Sequence, residues 1–413
     1  MTIHEVIQET NLLDPSEQYT ALHPSEVELG ETNNLILEMI EQIKPSRVVL
    51  DSLSELQLLS GNALRYRRHV LGLKQYFATR SCTALLLDDK SSVRLDLQVR
   101  SIAHGVISLQ HFNSDYGAER RVVRILKYRG IDYRRGPHDY SIVTGGVVVY
   151  PNMIVAESRH LAERSQIKSG LEEFDALLGG GIEEGSSTFI SGPPGTGKSS
   201  LACQFVKAVT QRGEKAAIFL FEESLNTLLN RSRGIGLDLR GPYESGLLTV
   251  NQIDPAEMSP GEFTYAVRKL ADNGAKVIVI DSLNGYLNAM PDARFLATHL
   301  HDVLTYLGQR GVLTFLIGVQ QGIVGAMSTG IDVSYMADNV LVLRYFEARG
   351  SVEKAISVFK KRGSAHETAL RRFEITSKGI AVGAVLNNFQ GILTGVPSFI
   401  NPTDIHIPHQ GAL

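Results

Sequence analysis

The sequence predicts an α/β fold in which a mainly parallel sheet is flanked by helices and one module occurs twice. Three observations lead to this prediction. Apolar strand-like runs alternate with helical stretches in the C-terminal half, a pattern typical of a parallel sheet with helices on both faces. A Gly-rich segment near the middle of the chain connects one such strand to one helix. Short motifs of the N-terminal third recur later in the chain at a nearly constant offset.

The strands of the C-terminal half are predicted at residues 187–191, 216–221, 247–250, 276–281 and 312–317. A ligand of such a sheet is expected at the carboxyl ends of the strands. In the N-terminal half, apolar residues at three- and four-residue spacing predict a helix over 27–43. A strand near 47–50, a basic helix, a strand near 83–88 and a strand–turn–strand region over 121–150 follow.

The Gly-rich segment matches the phosphate-loop pattern, Gly, four residues, Gly-Lys-Ser, from Gly192 to Ser199. Gly195 and Gly197 let backbone N–H groups turn toward phosphate oxygens, and the N-terminus of the following helix favours the same anion. A Gly-rich turn without a ligand is the alternative, but the strand–loop–helix context argues against it. The residues predicted to bind the nucleotide here are Gly192, Pro193, Pro194, Gly195, Thr196, Gly197, Lys198, Ser199 and Ser200.

Several other side chains complete the predicted chemistry. Lys198 places a positive charge at the β- and γ-phosphates, and the hydroxyl of Ser199 is a ligand for Mg²⁺. Asp281 ends an apolar strand and is predicted to hold the Mg²⁺ from the other side. Glu222 and Glu223 end another strand at the same edge of the sheet. One of the two carboxylates would orient or deprotonate the attacking water, or would instead hold a protein hydroxyl that accepts the phosphate. The alternative is that both are ordinary polar residues at the end of a strand, without a catalytic role.

Two cations far along the chain are candidates for a contact between subunits. Lys360 and Arg362 lie two residues apart on a predicted strand and therefore share a face. In a ring they would reach the phosphates of a neighbour's nucleotide, and a solvated pair of charges is the alternative. Gln320 and Gln321 follow a strand tip and are weaker candidates for sensing the γ-phosphate.

An internal repeat defines the domain organisation. Residues 47–53 resemble residues 277–283 at an offset of 230, and residues 125–130 resemble residues 358–363 at an offset of 233. At this offset the phosphate loop of the first copy would precede Met1, so the first copy is expected to be truncated, by a late start or because the sequence is a fragment. We predict a truncated first module (1–150), a linker (151–166), a complete second module (167–400) and a tail (401–413).

Composition excludes several classes of protein. The chain has 413 residues and a net charge of −3, so no global charge favours nucleic acid. Cys82 and Cys203 are too far apart in sequence to indicate a disulfide framework or a metal site. No apolar run reaches the roughly 18 residues of a membrane span, and the acidic start lacks a signal core. A cytoplasmic protein without a membrane contact is expected.

With these motifs the sequence resembles the KaiC-like ATPases, which are tandem RecA-type modules. The resemblance rests on the phosphate loop, Glu222-Glu223, Asp281-Ser282, the segment 169–181 and the segment 359–364, and it covers nearly the whole chain. It implies a homo-hexameric ring with ATP and Mg²⁺ between adjacent subunits, slow ATP hydrolysis and, as an open question, serine/threonine autophosphorylation in signalling with a protein partner. It also implies that Glu222 and Glu223 are the catalytic carboxylates and Lys360 and Arg362 the trans contacts, with Lys127 and Arg129 as their first-module equivalents.

Two departures from the family pattern limit these implications. The first module lacks the loop and the Glu pair, so one nucleotide site per chain is expected. The clock members carry adjacent Ser-Thr phosphoacceptors, whereas this chain has Ser334 followed by Tyr335, which argues against ordered two-site phosphorylation. Two other functions remain open: a RecA/RadA-type or helicase-type DNA-handling ATPase, and a regulatory scaffold that uses ATP only for assembly.

Overall fold

The computed structural model describes residues 2–4, 24–60, 62–89, 100–113, 118–153, 165–254, 256–288, 293–319, 335–393 and 398–399. The chain divides into two compact units. One comprises Met1–Ser108 and Ile125–Arg135, and the other comprises Leu109–Arg124 and Gly136–Leu413.

Within the described residues 24–86, the first unit contains a two-stranded parallel sheet and three helices. In chain order these elements are α1 (Pro24–Ile43), β1 (Arg47–Leu50), α2 (Leu53–Ser60), α3 (Ala63–Thr79) and β2 (Thr83–Leu86). The register places Arg47 opposite Thr83 and Leu50 opposite Leu86. The side chain of Asn62 starts α3 by accepting a hydrogen bond from the Arg65 N–H, which satisfies one free donor of the first turn.

The two faces of the β1–β2 sheet differ, because successive residues of a strand point to opposite sides. On one face Val48, Leu50 and Leu86 pack against the buried side chains of the three helices. On the other face Val49 and Leu85 are exposed by 56% and 51%. The described part of this unit therefore has an apolar core on one side of the sheet only.

Four further strands precede the predicted linker: β3 (Gly105–Phe112), β4 (Arg120–Tyr128), β5 (Pro137–Val143) and β6 (Gly146–Tyr150). They form one sheet in the order β3-β4-β5-β6, and the last three strands pair antiparallel.

The second unit is built on a nine-stranded sheet. Its strands are β9 (Ser187–Gly192), β10 (Lys215–Leu220), β11 (Leu248–Gln252), β12 (Ala275–Asp281), β13 (Leu313–Val319), β14 (Asn339–Ala348), β15 (Ser351–Lys361), β16 (Arg371–Thr376) and β17 (Gly379–Val385). The order is β11-β10-β12-β13-β9-β14-β15-β16-β17. The first six strands pair in parallel and the last three extend the sheet antiparallel. The five strands predicted from the sequence are present, with bounds shifted by one or two residues.

Helices cover both faces of this sheet. They are α4 (Glu172–Leu177), α5 (Lys198–Gln211), α6 (Leu225–Gly234), α7 (Arg240–Glu244), α8 (Pro260–Asp272), α9 (Leu283–Asn288) and α10 (Ala293–Gln309). Two short strand pairs complete the described elements: β7 (Gln166–Ile167) with β8 (Ile182–Glu183), and β18 (Phe389–Gln390) with β19 (Ser398–Phe399). One buried cluster packs α5 residues such as Phe205 against Val279 and Phe315, and the other packs Phe263 of α8 against Phe219. The α/β class predicted from the sequence is confirmed.

In the structure, the internal repeat includes whole helices and strands as well as the short motifs found in the sequence. The first and last residues of α3 and α10 are related by the same offset as the sequence motifs, and β1 and β2 correspond in the same way to β12 and β13. In the second unit β9 lies between β13 and β14 and joins them into one sheet. In the first copy β2 and β3 belong to separate sheets, and the described residues contain no strand that joins them.

Candidate nucleotide-binding site

The predicted phosphate loop lies between the carboxyl end of β9 and the start of α5. The six residues of β9 are all buried in the centre of the sheet, so the loop emerges from a fixed base. Gly197 is the N-cap of α5, and Lys198 is its first residue. The free N–H groups of the first helical turn therefore face the loop, where an anion is favoured by hydrogen bonding and by the helix dipole.

Two glycines of the loop are fixed by their backbone and by their neighbours. Gly195 has φ +77° and Gly197 has φ +106°, a region that residues with a Cβ rarely adopt. A Cβ on Gly195 would lie 2.7 Å from the hydroxyl oxygen of Tyr345, and a Cβ on Gly197 would collide with the side chain of Ile375. Side chains of β14 and β16 thus contact the loop directly, and the positive φ angles favour glycine at both positions.

Lys198 is directed into the loop. Its Nζ donates hydrogen bonds of 2.8 Å to the carbonyl oxygens of Gly192 and Pro193, and the residue is only 6% exposed. Burial lowers the pKa of Lys198 to about 8, and the carboxylates of Asp281 and Glu222 oppose this shift. The charge of the ammonium group is therefore poorly solvated in the loop, so an anionic ligand would gain from pairing with it.

Asp281 and Ser199 are brought together as the sequence predicted. Asp281 is the last residue of β12, two strands from β9, and Ser199 is the second residue of α5. Burial raises the pKa of Asp281, while a hydrogen bond with the Ser199 side chain acts in the opposite direction. The two side chains present a carboxylate and a hydroxyl next to the loop, and oxygen ligands of this kind suit Mg²⁺.

Glu222 and Glu223 lie in the connection between β10 and α6 rather than at the strand end itself, because β10 ends at Leu220. Ser224 caps α6 by accepting from the Thr227 N–H, so the two carboxylates occupy a short turn. Glu222 is exposed, and its Oε1 accepts a 2.7 Å hydrogen bond from the Ser282 hydroxyl. Since Ser282 follows Asp281, this bond brings Glu222 to the predicted metal ligands.

Glu223 has a different partner, which sequence analysis missed. Arg231 donates from Nε to Oε1 at 2.9 Å and from Nη2 to Oε2 at 2.8 Å. Arg231 is in the last turn of α6. The two residues are eight positions apart, and an ion pair between them depends on how the turn before α6 folds back. The two adjacent glutamates are thus in different environments.

Lys360 and Arg362 are at the other end of β9. Lys360 lies opposite Val340 in the β14–β15 pair and donates to the carbonyl oxygen of Ala337. Arg362, one residue beyond the end of β15, donates to the Tyr335 carbonyl oxygen and lies 3.6 Å from the Asp338 carboxylate. Asp338 in turn accepts from Ser187, the first residue of β9. At about 3.3 Å per residue, roughly 16 Å of strand separates this end from the loop, so the two cations are not part of the site on their own chain.

Some predicted residues are outside the described part of the chain. Gln320, Gln321 and the candidate phosphoacceptor Ser334 are within 320–334. Within the described ranges, no group of three or more His, Cys, Asp or Glu side chains forms a metal cluster. None of the helices found there has the length and apolarity that crossing a bilayer requires.

The model of the KaiC ATPase family matches residues 3–154 and 167–386, one stretch in each half of the repeat. The chain belongs to the KaiC ATPase family. Among curated KaiC proteins, the circadian clock protein KaiC3 of Synechocystis sp. is 26% identical over 387 residues, which is 92% of this chain and 76% of the relative. The circadian clock oscillator protein KaiC of Thermostichus vulcanus is 28% identical over 397 residues (94% and 75%). KaiC of Synechococcus elongatus is 27% identical over 370 residues (87% and 70%).

Membership of the KaiC family supports ATP binding and ATP hydrolysis for this chain. Both halves of the match carry the repeat described above, and only the second half contains the phosphate loop within the described residues. The strand–loop–helix region around Lys198 is the candidate site for this activity.

Proposed function

We propose that the protein binds Mg²⁺–ATP at residues 192–200 and hydrolyses it in a ring of six identical subunits, with each nucleotide between two neighbours. The observation that carries this proposal is the buried phosphate loop, with Lys198 at the start of α5 and Asp281 hydrogen-bonded to Ser199 beside it. We propose one nucleotide site per chain, in the second module, because the phosphate-loop motif occurs once in the sequence.

The loop binds the phosphates and supplies a positive charge beside them. Its N–H groups and the first turn of α5 face the phosphates, and Lys198 gives up its contacts with the two loop carbonyls to pair with the β- and γ-phosphate oxygens. Ser199 and Asp281 fit Mg²⁺, which takes few protein ligands and completes its shell with phosphate oxygens and water. When bound, Mg²⁺ neutralises charge on the two phosphates.

Hydrolysis needs a group that acts on water. In the proposed reaction water attacks the γ-phosphorus, the bond to the bridging oxygen breaks, and ADP leaves with that electron pair. A carboxylate of the Glu222–Glu223 pair orients the water and accepts its proton. The Ser282 hydroxyl holds Glu222 next to Asp281, so this carboxylate is at the same edge of the sheet as the loop.

The ring proposal rests on Lys360 and Arg362. Lys360 is level with Phe189 in the sheet, and both side chains are directed to backbone carbonyls beyond the amino end of β9, away from their own loop. In a closed ring each interface is heterologous, so one end of a subunit can meet the opposite end of its neighbour. We propose that the two cations contact the nucleotide held by that neighbour. The carbonyl contacts of Ala337 and Tyr335 hold both side chains at this end.

Mixing two inactive variants tests the ring. Lys198→Ala removes the loop cation and Arg362→Ala removes the trans contact, so each variant alone should lose ATPase activity. In an equimolar mixture of subunits, about one quarter of the sites would combine an intact loop with a neighbour's intact arginine. Partial recovery of turnover on mixing supports shared sites; no recovery, with both variants shown to assemble together by mass photometry, contradicts them.

The first experiment is ATP turnover of the purified full chain, compared with Lys198→Ala and Glu222→Gln. Removing the group that acts on water should lower kcat by about 10²–10⁴-fold, whereas Arg212→Met, which breaks the exposed pair with Glu214, should leave it unchanged. Wild-type protein that binds no ATP would contradict the proposal. Turnover that depends on added DNA would favour a DNA-handling ATPase, and assembly without turnover would favour a scaffold.

The finer parts of the signalling proposal need separate tests. We propose that Ser334 accepts phosphate from the same site, and mass spectrometry after incubation with ATP tests this, with Ser334→Ala as the control. We also propose that the first unit serves as an assembly and signalling platform for a protein partner in the cytoplasm. ATP binding confined to that unit would contradict this role.

A further inference from the structure

Arg231 connects two parts of the candidate site that are far apart in sequence. Its guanidinium binds both oxygens of Glu223 through Nε and Nη2. The third nitrogen, Nη1, donates to the hydroxyl of Ser200 at 3.1 Å. Ser200 is buried and follows Ser199 in the first turn of α5. One side chain therefore ties the turn after β10 to the helix that carries the phosphate-loop lysine.

This arrangement is partly buried. The side chains of Arg231 and Glu223 are 31% and 22% exposed, and a planar guanidinium that binds a carboxylate with two parallel hydrogen bonds fixes its orientation as well as its charge. Hydrogen bonds to Glu223 raise the pKa of Arg231. The arginine is therefore charged, and both carboxylate oxygens of Glu223 already accept from it.

Glu222 differs from its neighbour in each of these respects. It is exposed, and its described contact is one hydrogen bond from the neutral Ser282 hydroxyl. A carboxylate held in a bidentate ion pair is a weaker acceptor for a water proton than one that faces solvent beside the metal ligands. The two glutamates are consequently not equivalent, although the sequence presents them as a pair.

We propose that Arg231 is a positioning residue that clamps Glu223 to the phosphate-loop helix, so that only Glu222 acts on the attacking water. The inference rests on the proposed ATPase function and assigns the roles within that site. It requires that Glu223 takes no part in the proton transfer, and that its effect on nucleotide binding depends on whether its charge is paired.

The experiment compares kcat, KM and the affinity for a fluorescent ATP analogue across a set of full-length variants. Glu222→Gln should lose kcat by about 10²–10⁴-fold and keep its affinity for the analogue. Glu223→Gln should keep most of its kcat. Arg231→Met should weaken binding of the analogue by roughly tenfold, since the charge of Glu223, which already reaches Asp281, would then repel the phosphates with no arginine charge to offset it.

Second-site rescue separates this role from simple packing. The double variant Arg231→Met/Glu223→Gln should bind the analogue better than Arg231→Met alone, because it removes the unpaired charge. Arg231→Lys should fall between wild type and Arg231→Met, because lysine keeps the charge but not the two-pronged geometry. Arg212→Met serves as the surface control. A packing role predicts no rescue.

Two results would overturn the inference. A loss of kcat in Glu223→Gln as large as in Glu222→Gln would make Glu223 a reacting group. If unfolding midpoints show that all variants fold and the double variant still shows no rescue, Arg231 does not act by clamping Glu223. If the wild-type protein binds the analogue but does not hydrolyse ATP, the ATPase proposal fails, and the rescue in the binding measurements still decides whether Arg231 acts through Glu223.

Discussion

Lys198 is the residue whose charge is most sensitive to its surroundings. Burial lowers its pKa to about 8, whereas bound phosphates favour the charged form. Above this pKa the free protein has a neutral Lys198 and must take up a proton to bind ATP. Affinity is therefore expected to fall as the pH rises above about 8, and to depend little on this group at lower pH.

Calorimetry in buffers of different ionisation enthalpy measures this proton uptake directly. At about pH 9 we expect uptake of most of one proton per ATP, and at about pH 7 close to none from this group. Lys198→Arg keeps its charge throughout this range and corrects for protons taken up by ATP itself. Equal uptake in both proteins at about pH 9 would show that Lys198 is charged before ATP binds.

At the residue scale the phosphate loop is predictable from a motif that fixes residue type and spacing, whereas Asp281 is suggested only by its place at the end of an apolar strand. The pairing of Asp281 with Ser199 follows from two parallel strands that end at the same edge. The sequence could not separate Glu222 from Glu223. Their difference comes from the side chain of Arg231, and its direction depends on the packing of α6.

At the scale of elements, Gly197 shows how the antiparallel extension constrains the loop. It has φ +106°, and an added Cβ would collide with Ile375 of β16. Gly197→Ala should therefore lower the free energy of unfolding by about 1–3 kcal/mol and weaken ATP binding. Denaturant unfolding and binding of a fluorescent ATP analogue measure the two effects.

Gly234 provides the matched control for this substitution. It is the last residue of α6, and an added Cβ would meet nothing within 4 Å. Gly234→Ala should be neutral or stabilising by up to about 1 kcal/mol. Equal losses in both variants would mean that the constraint on Gly197 is not specific to its place in the loop.

The sequence predicted five strands of the second unit to within one or two residues, because each of them is a short apolar run between polar segments. The contact of β16 with the loop was not predictable in this way. Ile375 is far from Gly197 along the chain, and only the order of strands in the sheet brings them together. The position of Lys360 at the end of β9 opposite the loop depends on the same strand order.

At the scale of the whole molecule, the repeat offers a comparison of the same residue in two settings. Val49 and Val279 occupy equivalent positions in the two copies, but Val49 is 56% exposed and Val279 is 1% exposed. Val279→Ala should lower the free energy of unfolding by about 1–3 kcal/mol. Val49→Ala should change it by less than about 0.5 kcal/mol.

Denaturant unfolding of both variants, followed by circular dichroism, measures this difference. A large loss for Val49→Ala would show that the face of β1 and β2 opposite the helices is covered in solution. Exposure of this face could not be predicted from the residues alone, because residues 48–50 and 278–280 are apolar in both copies. The difference comes from which neighbouring elements are available to each copy.

Within the second unit, Asp139 connects strand β5 to helix α8. Asp139 of β5 accepts a 2.8 Å hydrogen bond from the Gly261 N–H in the first turn of α8, and Arg120 lies 3.3 Å from its carboxylate. Asp139→Ala should lower the free energy of unfolding by about 1–2 kcal/mol. Asp238→Ala, which removes an exposed carboxylate that also accepts from a backbone N–H, should cost less. Similar midpoints for the two variants in urea unfolding would contradict a special role for Asp139.

The absence of a β9 equivalent from the described first copy also has a consequence for the order of folding. The elements α1, β1, α2, α3 and β2 bury a core of their own without that strand, so the equivalent segment from α8 to β13 should be able to form early, from contacts close in sequence. Strand β9 then enters between β13, which ends at Val319, and β14, which begins at Asn339. Hydrogen exchange should accordingly find the predicted phosphate loop among the last parts of the second unit to become protected, and among the first to open.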